Sequence, residues 1–195
     1  MSKERLNAIT DAIFAIIATI MVLEFKVPTK PTWASLAETF QPMLAYIISF
    51  FIIWVSWYST HQLTKNMSRI TYKYYWLSGE SFVVMSFTPF ITAWVGHNFM
   101  ALVPELFYAL INAISFINYH LLLEPEALRN TPIDKRPPVH SNVWINRVRF
   151  FSILIGFTMI VFFPPISMIV LLIFSGLHIV EHIGIEKLEA SKNKI

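Results

Sequence analysis

Asp11 sits inside a run of residues, Leu6 to Phe25, that is otherwise suited to hydrocarbon. A helix needs about 20 apolar residues to cross a bilayer, and an ionisable side chain within such a helix has to face protein or water. A carboxylate there lines a path for ions, or accepts hydrogen bonds that fix one helix against another. Its spacing favours the second role. At 100° per residue, Ile9, Ala12, Ile13, Ile16, Ile20, Leu23 and Val27 share one stripe, and Asn7 and Asp11 lie on the far side. Relative to Ile16, Ile20 stands at about 40°, Leu23 at about −20° and Thr19 at about −60°, with Asp11 about 140° away. Three aliphatic side chains thus stack along one line with a hydroxyl beside them. Repeated around a symmetry axis, that line makes successive apolar rings that block by dewetting, and Thr19 supplies the nearby oxygen ligands. The competing expectation is an aliphatic face packed against other helices.

Asp11 needs a partner, because an isolated buried carboxylate is neutralised or very costly. Helix rise narrows the choice. Asp11 lies ~9 Å above Arg5, Trp57 and His61 lie ~12 and ~6 Å above Lys65, and Ser78 and Glu80 lie ~8 and ~10 Å above Lys73. Glu181 and His182 fall within ~9 Å of Lys187. These groups share one layer near a membrane surface, and Arg5, Trp57 and His61 are the candidates to hold Asp11 and so position the first helix.

The remaining elements follow from hydropathy and charge. After the first span, Leu6–Phe25, apolar segments run Met43–Leu63, Tyr74–Val95, Met100–Leu123, Val143–Phe163 and Pro165–Ile185. Pro164-Pro165 turns the chain between the last two. The start of the fifth is the least defined, because Asn146, Arg147 and Arg149 occupy it. Thirteen Lys and Arg side chains fall at the termini and the connections on their side, against Lys26 and Lys30 on the other. That asymmetry fits an even number of spans with both termini cytoplasmic. Glu124–Ser141 reads as a cytoplasmic loop, and Trp33 as the start of a small interfacial helix. The first run is too long for a signal-peptide core and ends without small residues, so it is expected to remain as a span. The expected fold class is an all-α integral membrane protein: one domain, residues 1–195, of six transmembrane helices (6–25, 43–63, 74–95, 100–123, 143–163, 165–185).

Composition removes much other chemistry. Hydrophobic residues make up 55% and charged residues 14%, and the mean hydropathy is +0.56, values outside the range of ordinary soluble domains. Zero cysteines exclude disulfides, thiolate metal sites and cysteine nucleophiles. Five glycines leave little room for a phosphate-binding loop, and no Thr-Val-Gly-Tyr-Gly filter is present. The basic groups follow topology rather than a nucleic-acid-binding face. His178-Ile-Val-Glu181-His182 matches a zinc peptidase string. Histidines at i and i+4 share a helix face, but no third ligand accompanies them, so interfacial histidines are expected and a metal on His178 and His182 is the minor alternative.

Arg5, Asp11 and the following AIFAIIATIMVLEFKVP resemble the opening helix of the transmembrane protein 175 family of potassium channels. The family pattern is Arg followed by Phe-Ser-Asp. Here the triplet reads Ile9-Thr10-Asp11, so Arg and Asp match, Thr replaces Ser and the Phe is absent. Trp57, His61 and Pro89-Phe90 are further likenesses. The resemblance implies that Ile16 is the constriction, with Thr19, Ile20 and Leu23 along the same pore. It implies a structural polar network of Arg5, Thr10, Asp11, Trp57 and His61. It further implies a homotetramer with the first helix of each subunit around the axis, as in single-repeat prokaryotic members. The expected function is therefore a weakly selective potassium channel of the plasma membrane, not an enzyme, passing K⁺ and other monovalent cations without a bound cofactor. The alternative is a secondary transporter or a proton-leak pathway through the intramembrane Asp/Glu/His layer.

Overall fold

In the computed structural model the described residues are 2–136 and, apart from 153 and 174, 151–176. Among them all regular structure is helical. Helix α1 (Lys3–Leu23) opens at Ser2, whose hydroxyl accepts the Arg5 N–H. The short α2 (Trp33–Ala37) begins where the sequence places an interfacial helix, capped by Thr32. Helix α3 (Phe40–Asn66) extends beyond both expected ends of the second span.

The third span is not one helix. It divides into α4 (Tyr72–Met85) and α5 (Thr88–His97), joined by a turn at Ser86-Phe87. Pro89 explains the division: it has no N–H for the Met85 carbonyl one turn back, and its ring collides with that carbonyl. Ser86 supports the break by donating its hydroxyl to the Phe82 carbonyl.

The fourth span also departs from expectation. Helix α6 (Leu102–Ile117) continues through a wide π-type turn (Asn118–Leu123) into α7 (Glu124–Arg129), so residues 124–129 are helix rather than loop. The wide turn lies immediately before Pro125, which cannot follow the regular ladder, and the helix absorbs it by widening instead of ending. Beyond this, residues 154–159 and 166–173 are helical, with the chain turning between them around Pro164-Pro165 as the sequence indicates. His178, Glu181 and His182 lie outside the described residues, as do Arg147 and Arg149.

Among the described residues, three helical runs are long and apolar enough to cross a membrane: Lys3–Leu23, Trp33–Asn66 and Leu102–Arg129. They run up and down. The Lys3 ammonium donates to the Lys65 and Met67 carbonyls at 2.9 and 3.0 Å, joining the start of α1 to the end of α3. At the opposite end, Gly96 of α5 meets Pro42 of α3 so closely that a Cβ there would stand 2.8 Å from the Pro42 Cα. A small residue is what lets two membrane helices approach to this distance. Three apolar clusters stack along the bundle. Leu6, Leu63, Met67, Tyr74 and Leu123 pack at the end bearing the lysines, called the basic end below. Phe14, Ile17, Met21, Ile53 and Met85 fill the middle. Ala45, Ile48, Ile91, Val95, Tyr108 and Met168 fill the far end.

Candidate functional site

Helix α1 has one packed face and one uncovered face. Leu6, Thr10, Phe14, Ile17 and Met21 recur at spacings of three and four and are buried against α3 and α4. The aliphatic stripe singled out in the sequence lies elsewhere: Ile9, Ile16, Ile20 and Leu23 are exposed, Ile16 to 55% and Leu23 to 80%. Ile17, about 100° round the helix from Ile16, is only 4% exposed. A single subunit thus holds α1 by one stripe and leaves a second apolar line free. Thr19 is exposed beside that line. Its hydroxyl proton turns back to the Ala15 and Ile16 carbonyls, both at 2.9 Å, so what it offers outward is oxygen lone pairs.

Asp11 lies on the flank of the packed face. The Trp57 indole N–H donates to its Oδ1 at 2.7 Å, a short bond of the charge-assisted kind. Trp57 is itself held by ring contacts: His61 stacks on it with centroids 5.7 Å apart and planes 27° apart, and Trp54 lies 5.2 Å away on the other side. The column continues along α3 through Phe50 and Tyr46 to Phe25, just past α1. Three sequence expectations need correction here. Arg5 makes no ion pair with Asp11 among the described residues, and its backbone N–H serves the helix cap. His61 acts through stacking rather than by a hydrogen bond to Asp11. Thr10 is buried with its hydroxyl closed on the Leu6 carbonyl at 2.8 Å, outside the Asp11 contact. Asp11 is moreover exposed in the single subunit. A neutral indole donor is sufficient there, because a solvated carboxylate does not demand a counter-charge.

Of the rest of the expected polar layer, the described members disperse, and Glu181 and His182 lie outside the described residues. Ser78 donates to its own helix at the Tyr74 carbonyl, and Glu80 is exposed. Two polar groupings that the sequence reading missed take its place. At the far end, Thr92 donates to Ser49, Ser49 and the Tyr108 hydroxyl are 2.9 Å apart, and Ser167 donates to the fully buried Glu105. At the basic end, His120 Nδ1 and Glu124 are 2.7 Å apart, Ser81 donates to Asn118, and Thr71 donates to Glu126 at 2.9 Å. The rule that singled out Asp11, a carboxylate within an apolar span, applies equally to Glu105. His120 and Glu124 become partners only once the helix continues past Leu123. Among the described residues no group of three His, Asp or Glu side chains is placed to hold a metal.

Comparison with known proteins places this geometry. Residues 5–89 match the model of a family described as endosomal/lysosomal potassium channel TMEM175. A potassium channel of Chryseobacterium sp. (strain P1-3) is 36% identical over 122 residues, 63% of this chain and 64% of that protein. A potassium channel of Chamaesiphon minutus is 33% identical over 95 residues, 46% of this chain and 47% of that one. The chain thus covers less than two thirds of either relative's length. In fold, the crystal structure of a lysosomal potassium-selective channel TMEM175 homolog from Chamaesiphon minutus superimposes with a TM-score of 0.79, over 92% of this chain and 97% of that one, at 24% identity. The α1–α4 region of this multi-pass membrane protein thus resembles the TMEM175 family, and its architecture matches that of a solved TMEM175 homolog along nearly the whole length.

Proposed function

We propose that the protein is a weakly selective potassium channel in which α1 from each of four subunits lines a common pore. The observation that carries this reading is the uncovered apolar line Ile16–Ile20–Leu23 on a helix whose opposite side is packed and tethered. One subunit contributes one such helix, so a closed pore needs several copies around an axis. Each level of the line then becomes an apolar ring, narrowest at Ile16, that passes hydrated cations only when the helices separate. Thr19 supplies oxygen ligands next to the constriction and accounts for a modest preference for K⁺. The thirteen-to-two distribution of basic residues supports an even number of spans, six in this reading, with both termini cytoplasmic; the plasma membrane is part of the proposal. The names of the bacterial relatives agree with this reading. A secondary transporter would gain from the α4–α5 break, since discontinuous helices build transporter sites. That break, however, answers to Pro89 and carries no charged side chain in its turn.

Purified protein in proteoliposomes tests the proposal. Native mass spectrometry is expected to show a tetramer, and without added ionophore a K⁺ gradient is expected to dissipate faster than a Na⁺ gradient of the same size. A monomer without cation flux removes the channel, and flux that requires a counter-transported ion replaces it with a transporter.

A further inference from the structure

We infer that the basic end of each subunit binds an anionic phospholipid, its phosphate at the joint between α4 and α7 and an acyl chain along the exposed face of α4. The joint is built around Glu126, which is buried. Thr71, the cap of α4, donates to Glu126 Oε1 at 2.9 Å, and the Asn130 amide reaches the same oxygen at 3.2 Å. The other oxygen, Oε2, meets two cations, Lys73 Nζ at 3.7 Å and Arg129 Nη1 at 4.0 Å. Both contacts are long, and the two side chains are 61% and 73% exposed, so each keeps most of its donors for a further anion. One carboxylate is divided between two cations, and the pair stays net positive. Two more cations flank it. The Ser68 N–H donates to the Asn130 carbonyl at 2.9 Å, which brings the exposed Arg69 alongside. Arg136 donates its Nε to the Thr131 carbonyl at 3.1 Å, and its terminal nitrogens make no hydrogen bond among the described residues.

An apolar surface adjoins this charge. Tyr72 and Trp76 are exposed, with ring centroids 5.9 Å apart and planes at 70°, the kind of aromatic pair that sits at headgroup level. Val83 is exposed too, and at 100° per residue it falls within about 20° of both. This face therefore leads from the level of Lys73 for ~17 Å along α4. A phospholipid occupies both parts at once. A free phosphate has nothing to place on Tyr72, Trp76 and Val83, and water competes for it at side chains this exposed. The lipid is already concentrated in the leaflet, so once its chain is seated the headgroup binds as if intramolecularly. A zwitterionic headgroup brings its own ammonium beside the phosphate, which these cations repel, so the preference is for a headgroup with net negative charge. Glu80 is exposed on α4 as well, but ~10 Å of rise from Lys73 puts it out of reach of a phosphate held there. Held by Lys73 and Arg129, the phosphate ties the start of α4 to the end of α7 and braces two spans that contain proline.

The test is native mass spectrometry of the delipidated protein, titrated with phosphatidylglycerol or with phosphatidylcholine of the same chains. A basic side chain at a membrane surface favours an anionic lipid by about fivefold, so the parent is expected to prefer phosphatidylglycerol by at least about 25-fold. Lys73→Gln with Arg129→Gln is expected to lower that preference by about 25-fold. The charge-keeping pair Lys73→Arg with Arg129→Lys is expected to retain it, as is Lys26→Gln with Lys30→Gln beyond the opposite end of α1. Equal binding of the two lipids by the parent, or an unchanged preference in the glutamine pair, overturns the site. Loss in the charge-keeping pair as well would assign the two residues to folding and also overturn it. Displacement of phosphatidylglycerol by an equal concentration of inorganic phosphate would make this a site for a free anion instead. A glutamine pair that changes the oligomer's mass and keeps the lipid preference would make the face a contact between copies. Lipid is counted per subunit, so the result stands apart from the channel proposal whether the protein runs as monomer or tetramer.

Discussion

Ile16→Asn raises cation flux through reconstituted vesicles by about an order of magnitude and brings K⁺ and Na⁺ rates closer together. Fully burying an isoleucine is worth roughly 1.5–3 kcal/mol relative to water, and the proposed tetramer brings four such side chains together in one ring. Replacing those side chains with amides removes the reason for water to leave the constriction. A lowering of the barrier by only about 1.4 kcal/mol already gives the tenfold change. Ile16 is 55% exposed in the subunit, so the substitution removes little packing, and the variant is expected to assemble. Thr19→Ala acts differently. It removes the exposed oxygen beside the ring and lowers selectivity while leaving the apolar line intact. If both variants assemble and conduct like the parent, the pore does not run along this helix.

Trp57→Ala is expected to cost about 3–5 kcal/mol of stability, the range for truncating a large packed aromatic side chain, and to reduce the yield of tetramer. Trp57 stands between Trp54 and His61 in the ring column and donates to Asp11, so its removal breaks both devices that orient α1. Asp11→Ala removes the hydrogen bond alone. Its cost is expected at about 1–2 kcal/mol, the low side for bonds to charged groups, because the carboxylate is exposed. Trp57→Phe separates the contributions by keeping a ring without the N–H, and should resemble Asp11→Ala. Thermal unfolding in detergent measures all three. A Trp57→Ala midpoint no lower than that of Asp11→Ala would show that the column contributes nothing.

Much of this was legible because bilayers impose strong constraints. The length of α1, the helix at Trp33, the span after Phe40 and the turn at Pro164-Pro165 all follow from hydropathy and proline chemistry. The two prolines inside hydrophobic segments were harder. Pro89 divides its span at Ser86-Phe87, whereas Pro125 is absorbed by a wide turn and the helix runs on to Arg129. Sequence alone identifies the missing N–H in both. Which way the helix yields depends on its neighbours, and α7 has partners: Thr71 donates to Glu126, and Asn130 closes on the same residue.

The site was legible to a similar degree. Wheel geometry separated the Ile16 stripe from Asp11, and depth brought Trp57 within reach. Depth could not choose among Arg5, Trp57 and His61, since a rise per residue fixes height but not azimuth. The ring column on α3 had a readable signal in the spacing of Tyr46, Phe50, Trp54, Trp57 and His61. Glu105 had one too, but its partner Ser167 is 62 residues away and appears only when the helices are assembled.

The central claim is that Ile16 of every subunit faces a common axis. The chain contains no cysteine, so a single introduced thiol reports its own position without background. Oxidative cross-linking of Ile16→Cys in membranes, with Ile17→Cys as the neighbour about 100° away, measures that facing directly. A disulfide forms only where Cβ atoms come within about 3.5–4.5 Å. The expected result is a covalent dimer for Ile16→Cys and none for Ile17→Cys, whose side chain is packed inside its own subunit. Cross-linking confined to Ile17→Cys, or absent from Ile16→Cys in a protein that still runs as a tetramer, would contradict the account.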